Sequence, residues 1–278
     1  MQTIESDSIA WRLLSMLALF LALALFAEPA LARKPIDETI KLGGGFPVVN
    51  ATIPVDDHRT KSIPGALYEP KGSGPFPAVI LAHGCNGLAF NAGALRLAVA
   101  GYVQHGVAAL VIDSLSPRGL SEDCMSIYWG YRVKDAYAAL GWLGARPEID
   151  SKHIFLQGYS TAGASSTMAA VDPHETTVAP HKDRFAGAIV YYPWCRTSDK
   201  FSVPTIIFVG QADDYTPAKQ CVEITDKANL EVVVYPHARH GFANPGERTV
   251  RGVRMAYDEK AAADAQRRAL RLIESLRK

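Results

Sequence analysis

Residues 154–164 read IFLQGYSTAGA, an apolar run that ends in glycine and is followed by a serine and further small residues. The apolar run is typical of a buried strand, and the small residues are typical of a helix that begins close to a sheet. This order indicates a nucleophile elbow, the strained turn that holds a serine hydroxyl above a sheet edge. The usual pattern is Gly-x-Ser-x-Gly, and Ala162 replaces its last glycine. A serine in such a turn can also be a plain turn former, so Ser160 is a candidate nucleophile that needs partners.

The rest of the chain alternates between strand-like and helix-like segments. The predicted strands are short runs rich in apolar residues, and they cover residues 46–55, 60–68, 78–82, 107–112, 153–156, 186–191, 205–209 and 231–235. The predicted helices cover residues 92–104, 127–143, 161–171, 216–227 and 254–276. Strands that alternate with helices form βαβ units, so we predict an α/β fold with a mostly parallel central sheet flanked by helices and an antiparallel start. Residues 33–278 are predicted to form this single domain.

An acid and a base follow the elbow in the chain, each just after a predicted strand. Asp213 and Asp214 come after the strand at 205–209, and His240 comes after the strand at 231–235. Catalytic groups in open α/β sheets gather at the carboxyl ends of the strands. Each residue alone could be a turn former or a surface residue, but the order serine, acid, histidine is that of a Ser-His-Asp triad on such a sheet. We therefore expect Ser160, one of the two aspartates and His240 to act together.

A second turn, His83-Gly84-Cys85, follows the buried strand at 78–82. An oxyanion loop should lie here, where backbone N–H groups can point at a developing negative charge. We expect the N–H groups of Cys85 and Thr161 to form the oxyanion hole and His83 to support the loop. The alternative is an ordinary glycine-rich turn.

These motifs together resemble the dienelactone hydrolase branch of the α/β-hydrolase superfamily. They are residues 83–85, Asp113-Ser114 with Pro117-Arg118-Gly119, residues 158–162, residues 210–217 and His240-Gly241-Phe242. The resemblance implies an α/β-hydrolase fold with little or no cap and a triad of Ser160, Asp213 and His240, with Asp213 rather than Asp214 as the acid. The namesake enzymes use cysteine as the nucleophile. The serine here therefore favours a general ester, lactone or other acyl substrate over dienelactone itself.

Further residues are candidates for substrate binding. Arg118 could hold a substrate carboxylate or form a structural ion pair, and Trp194 could line an acyl site or belong to the core. His237 and His240 lack the spacing of a zinc motif, so we expect no metal and no other cofactor. The 29 basic and 28 acidic residues leave a net charge of +1, which argues against nucleic-acid binding.

The first 32 residues are predicted to be a secretory signal peptide. An uncharged run at 13–26 is short for a membrane span, and Ala30-Leu31-Ala32 resembles a cleavage signal. An uncleaved N-terminal anchor is the alternative. Cleavage would leave a periplasmic or secreted protein with no stable membrane insertion. Residues 172–184 form a long polar connection, either a lid or a surface loop.

Export would place the four cysteines where disulfides persist. Cys195 and Cys221 are predicted to pair, because both follow elements that leave the same edge of the sheet. Cys85 and Cys124 are the complementary pair, and four free thiols are the alternative.

The sequence thus predicts an exported serine hydrolase that cleaves a small-molecule ester or lactone through an acyl-enzyme. A prolyl-oligopeptidase-type peptidase and a non-catalytic binding protein on a hydrolase scaffold are the alternatives.

Overall fold

A computed structural model describes residues 35–41, 46–120, 130–172 and 184–277. Its strands are β1 (Val48–Pro54), β2 (Ser62–Tyr68), β3 (Phe76–Ala82), β4 (Ala108–Ile112), β5 (Ile149–Tyr159), β6 (Gly187–Tyr191), β7 (Thr205–Gly210), β8 (Leu230–Tyr235), β9 (Glu247–Val250) and β10 (Val253–Ala256). Its helices are α1 (Ile36–Ile40), α2 (Gly87–Gln104), α3 (Gly130–Gly144), α4 (Ser160–Ala170), α5 (Ala218–Val222) and α6 (Glu259–Leu276), with a 3-10 turn at Ser116–Arg118.

Eight of these strands form one sheet in the order β1-β2-β4-β3-β5-β6-β7-β8. The pairs β1·β2 and β2·β4 are antiparallel, and every later neighbour from β4 to β8 is parallel. The predicted α/β class, the mostly parallel sheet and the antiparallel start are therefore confirmed.

The sheet separates two hydrophobic cores, because successive side chains along a strand point to opposite faces. One core contains residues of the sheet, α3 and α4, including Ile80, Leu140, Leu156, Met168 and Ile207. The other contains residues of the sheet, α2 and α6, including Leu81, Val99, Phe155, Phe208 and Ala265. Burial on both faces explains the continuous apolar runs from which the central strands are predicted.

The central strands end at the same edge of the sheet. Ala82 pairs with Gly158, and Tyr159 pairs with Tyr191 on the next strand. The turn after β3 and the elbow after β5 therefore leave the sheet side by side. The loops that follow β7 and β8 emerge at the same edge, which is where the candidate catalytic residues lie.

The segment before the last helix differs from the prediction. Residues 254–256 were expected to begin that helix, but they belong to β10, which pairs with β9. The two residues between these strands, Arg251 and Gly252, have positive φ values of 51° and 81°, as a two-residue type I′ turn requires. Helix α6 starts only after Asp258, whose carboxylate accepts a hydrogen bond from the N–H of Ala261 and caps the helix.

A disulfide joins Cys195 to Cys221, whose Cα atoms are 5.0 Å apart. It connects the segment after β6 to α5, the short helix that begins shortly after Asp213. Cys124 lies outside the described residues, so its pairing with Cys85 stays a prediction. The predicted leader at 1–32 and most of the polar connection at 172–184 also lie outside them. None of the helices in the described ranges is long and apolar enough to cross a membrane.

The elbow strand has no room for a side chain at Gly158. A Cβ placed there would lie 2.1 Å from the carbonyl oxygen of Gly163 and 2.3 Å from Oγ1 of Thr167. We expect Gly158→Ala to lower the free energy of unfolding by about 3 kcal/mol or more, because backbone atoms must move to admit the methyl group. Denaturant-induced unfolding measures this change.

Gly141 provides the matched control, because a Cβ at this exposed position in α3 would meet nothing within 4 Å. Gly141→Ala should raise the free energy of unfolding by about 0.5–1 kcal/mol through helix propensity. Equal unfolding midpoints for Gly158→Ala and the wild type would contradict the packing described for the elbow.

Candidate active site

Ser160 occupies a strained turn between β5 and α4. Its φ is +56°, in the left-handed region that costs a non-glycine residue roughly 1–2 kcal/mol. Helix α4 then packs directly on the end of β3, since a Cβ at Gly163 would lie 2.6 Å from the carbonyl oxygen of Ala82. The tight glycine positions are therefore 158 and 163. The Gly-x-Ser-x-Gly motif places its last small residue at position 162 and does not predict the close contact at Gly163.

The structure brings Ser160, His240 and Asp213 into one hydrogen-bonded line. Ser160 Oγ lies 2.8 Å from His240 Nε2, and His240 Nδ1 lies 2.8 Å from Asp213 Oδ2. His240 is 1% exposed and Asp213 is 4% exposed, so solvent competes little for these bonds. This arrangement can move a proton from the serine hydroxyl to the imidazole.

Asp213 and Asp214 have different surroundings. Asp213 Oδ1 accepts hydrogen bonds from the N–H groups of Tyr215 and Thr216, both at 2.8 Å. The side chain of Asp214 is 73% exposed and pairs with Arg239 at 3.0 Å. Of the two aspartates, Asp213 is the one held against the imidazole.

Thr216 is a further polar residue of the site, and the sequence analysis missed it. It is fully buried, and its Oγ1 lies 2.8 Å from Asp213 Oδ2, 3.1 Å from His240 Nδ1 and 3.3 Å from the carbonyl oxygen of Tyr192. A hydroxyl has one proton to donate, and the shortest of these contacts directs it to the carboxylate. The only sequence feature that points to Thr216 is its position in the loop after β7, three residues after Asp213.

Thr216→Val keeps the shape of the side chain and removes this hydrogen bond. A bond to a charged group contributes about 1.5–3 kcal/mol, so we expect kcat to fall roughly 10- to 100-fold. KM should change little, because Thr216 does not line the cavity described below. Steady-state kinetics on a chromogenic ester measures both constants.

Thr216→Ser retains the hydroxyl and should restore most of the lost kcat. A valine variant as active as the wild type, or a serine variant no better than valine, would show that the hydroxyl does not position the triad.

Two tyrosines enclose the imidazole of His240. The rings of Tyr192 and Tyr215 lie 4.9 and 5.0 Å from the imidazole centroid, both at steep angles. Tyr192 itself has a positive φ of 42°, and its burial raises the pKa of the phenol well above its ordinary value. The tyrosines therefore restrict rotation of the imidazole while Tyr192 stays uncharged.

The turn after β3 passes directly against the nucleophile. A Cβ at Gly84 would lie 3.0 Å from the carbonyl oxygen of Tyr159 and 3.1 Å from Cβ of Ser160, so the absence of a side chain at Gly84 lets the two segments approach closely. Cys85 follows and lines the same cavity as Ser160. This is the location expected for an oxyanion loop.

Buried polar groups hold that turn from below. His83 is fully buried, with Nε2 3.4 Å from Asp113 Oδ1, and its carbonyl oxygen accepts a hydrogen bond from Arg132. Burial acts to raise the pKa of Asp113, but the adjacent His83 imidazole and the hydrogen bonds from Ser116 outweigh it and hold the pKa well below its usual range. Burial lowers the pKa of Arg132 to about 10, so it remains charged at neutral pH. His83 is thus placed to support the loop rather than to act as a base.

Arg118 and Trp194, the two candidates for substrate binding, lie elsewhere. The Arg118 guanidinium is buried, forms a bidentate ion pair with Asp135 at 2.8 Å and pairs with Asp57 as well. Trp194 is 48% exposed. Neither residue lines the cavity at Ser160. Arg118 forms the interior ion pair that was its alternative role, and substrate binding by Trp194 stays a prediction.

The cavity at Ser160 has a volume of about 50 Å³, which is room for a few water-sized groups. Polar, apolar and basic residues line it, and they are Cys85, Asn86, Phe90, Asn91, Ser160, Tyr192, Tyr215, His240, Gly241, Asn244, Gly246, Arg248, Val250, Arg251 and Met255. Within the described ranges, no group of three or more His, Cys, Asp or Glu residues is arranged to hold a metal ion.

Comparison with known proteins places this chain in a family. Residues 63–276 match the model of the dienelactone hydrolase family. The search of curated proteins found no significant match.

Three solved structures illustrate the structural similarity. A dienelactone hydrolase-like promiscuous phosphotriesterase from metagenomic libraries is 21% identical, with a TM-score of 0.65 over 82% of this chain and 98% of that one. A thermophilic esterase of the planctomycete Thermogutta terrifontis is 19% identical, with a TM-score of 0.62 over 82% and 92%. An α/β-hydrolase enzyme from a Medee basin deep-sea metagenome library is 17% identical, with a TM-score of 0.61 over 83% and 99%. At these identities the similarity establishes the α/β-hydrolase fold.

Proposed function

Because the chain belongs to the dienelactone hydrolase family and is a hydrolase, we propose that it cleaves esters or lactones through an acyl-enzyme on Ser160. The observation that carries the proposal is the continuous line of hydrogen bonds from Ser160 through His240 to Asp213. The serine at this position favours general acyl substrates over dienelactone itself.

The first half-reaction begins with proton transfer. His240 Nε2 takes the proton of Ser160 Oγ as the oxygen attacks the acyl carbonyl carbon. The imidazolium that forms keeps its Nδ1 proton directed at Asp213, whose negative charge stabilises it. Thr216 and two backbone N–H groups hold that carboxylate in place.

The carbonyl oxygen of the substrate becomes negatively charged in the tetrahedral intermediate. We assign its stabilisation to the N–H groups of Cys85 and Thr161, with Gly84 allowing the loop to approach Ser160. The intermediate collapses when His240 gives its proton to the leaving alcohol oxygen. Water then attacks the acyl-enzyme with His240 again acting as base, and Ser160 is released with its proton restored.

Export is the second part of the proposal. The uncharged run at 13–26 and the small residues at 30–32 support a cleaved leader and a domain of residues 33–278. The Cys195–Cys221 disulfide supports a periplasmic or secreted location, since oxidising compartments preserve disulfides.

Hydrolysis of p-nitrophenyl acyl esters and simple lactones by the purified protein tests the activity. We expect turnover of short acyl esters and, in rapidly quenched samples, a mass increase equal to the acyl group on the peptide that contains Ser160. Cleavage of prolyl peptide substrates without ester turnover would favour the peptidase. Ligand binding without any turnover would favour the non-catalytic reading.

A further inference from the structure

One side of the cavity at Ser160 is formed by the hairpin of β9 and β10. Val250, Arg251 and Met255 of this hairpin line the cavity together with Ser160 and His240. The two strands pair only with each other among the described strands. The hairpin is therefore an addition to the central sheet that faces the nucleophile.

The base of the hairpin is tied to α2 on the other side of the cavity. Asn244 donates to the carbonyl oxygen of Phe90 at 2.9 Å and accepts from the N–H of Ala94 at 3.1 Å. Arg248 also donates to Phe90 O, at 3.2 Å, and its guanidinium lies 4.6 Å from the Phe90 ring centroid. These contacts fix the distance between the two walls of the cavity.

Met255 lies on the inner face of the hairpin, next to the catalytic histidine. A Cβ placed on Gly241 would be 3.7 Å from Cβ and 3.9 Å from Sδ of Met255. The Met255 side chain therefore packs beside the residue that follows His240, and Met255 lines the cavity. Arg254 is on the opposite face, as strand alternation requires, and pairs with Glu247 at 2.5 Å.

We propose that Met255 sets the length of the substrate, limiting one arm of the ester, acyl or alkoxy, to short chains. The inference rests on the proposed ester hydrolysis and adds the substrate class, small esters with a short unbranched group on the hairpin side. The cavity beside Ser160 is small, about 50 Å³, and Met255 is one of the residues that line it. The methionine side chain is long and unbranched, so its replacement by alanine leaves open the space that the side chain fills.

Two ester series test this proposal. One series lengthens the acyl chain from acetyl to octanoyl on a p-nitrophenol leaving group, and the other lengthens the alcohol from methyl to octyl on an acetyl group. In the series whose chain faces Met255, Met255→Ala should raise kcat/KM for the six-carbon ester relative to the shortest ester of that series by at least about tenfold. This is the discrimination that a methylene or more provides in an apolar pocket. Met255→Trp should shift the same series toward the shortest ester.

Arg254→Ala is the matched control, because it changes the same strand on the outer face and should keep the wild-type chain-length profile. An unchanged profile for both Met255 variants, with turnover of the shortest ester retained, would overturn the proposal. Failure of the wild type to hydrolyse any ester in either series would instead refute the proposed function. A shift of equal size in Arg254→Ala would assign the effect to hairpin stability and likewise overturn the role of Met255.

Discussion

Ser160→Ala abolishes ester hydrolysis, with an expected loss in kcat on the order of 10⁶-fold. The reason is that Ser160 Oγ is the group hydrogen-bonded to His240 Nε2 at 2.8 Å, and alanine leaves the imidazole with no hydroxyl to activate. The protein should stay folded, because the substitution removes one atom at the wall of an open cavity. Turnover of a chromogenic ester, with circular dichroism for the fold, measures both effects.

Ser166→Ala is the control for this prediction, since Ser166 lies in the same helix as Ser160, is buried, and donates a hydrogen bond to the carbonyl oxygen of Gly163 at 3.0 Å. It should retain most of the wild-type turnover. A Ser160→Ala variant with more than a tenth of wild-type activity would contradict the assignment of the nucleophile.

Asp213→Asn should lower kcat by roughly 10⁴-fold, because an amide cannot stabilise the imidazolium and favours the wrong tautomer of His240. Asp214→Asn should cost far less, since Asp214 is exposed and its ion pair with Arg239 lies at the surface, where such pairs contribute about 0–1 kcal/mol. Parallel kinetics on the two variants gives the comparison. Reversed magnitudes would show that the other aspartate orients the histidine.

The sheet and the positions of the serine, the histidine and an acidic partner at its edge could be predicted because their signals are local. Each parallel strand is an unbroken apolar run, and each triad residue comes shortly after one of these runs. Parallel strands bring their carboxyl ends to one edge, so the order along the chain was sufficient to expect Ser160, His240 and one of the two aspartates together. The choice of Asp213 over Asp214 came from the family resemblance. The pairing of Cys195 with Cys221 could be predicted because the segments that carry them leave the same edge of the sheet.

The remaining features depend on contacts between distant residues. Arg118 stands in a motif that suggests a ligand, but its partners Asp57 and Asp135 are 61 and 17 residues away in sequence, and they occupy its guanidinium. Thr216 bonds its near neighbour Asp213, but its place beside His240 depends on a residue 24 positions away in sequence. No pattern in the neighbouring sequence predicts the ion pairs of Arg118 or the contact between Thr216 and His240.

The hairpin shows the same limitation in a secondary-structure element. Residues 254–256 have side chains that a helix accepts, and they become a strand because Val253 to Ala256 pair with Glu247 to Val250. The cap at Asp258 then begins the helix where the hairpin ends. Met255, which lines the cavity, thus lies in a segment that the sequence pattern predicted as the start of the final helix.

Covalent labelling with a fluorophosphonate tests the central claim most directly, because the reagent phosphonylates a serine only where a neighbouring base activates it. We expect one adduct per chain, located by peptide mapping on Ser160. Ester turnover should fall in proportion to labelling and be lost completely when every chain is labelled. Asp213→Asn should react much more slowly. A protein that hydrolyses esters yet carries the label on a residue other than Ser160, or takes up no label, would contradict the account.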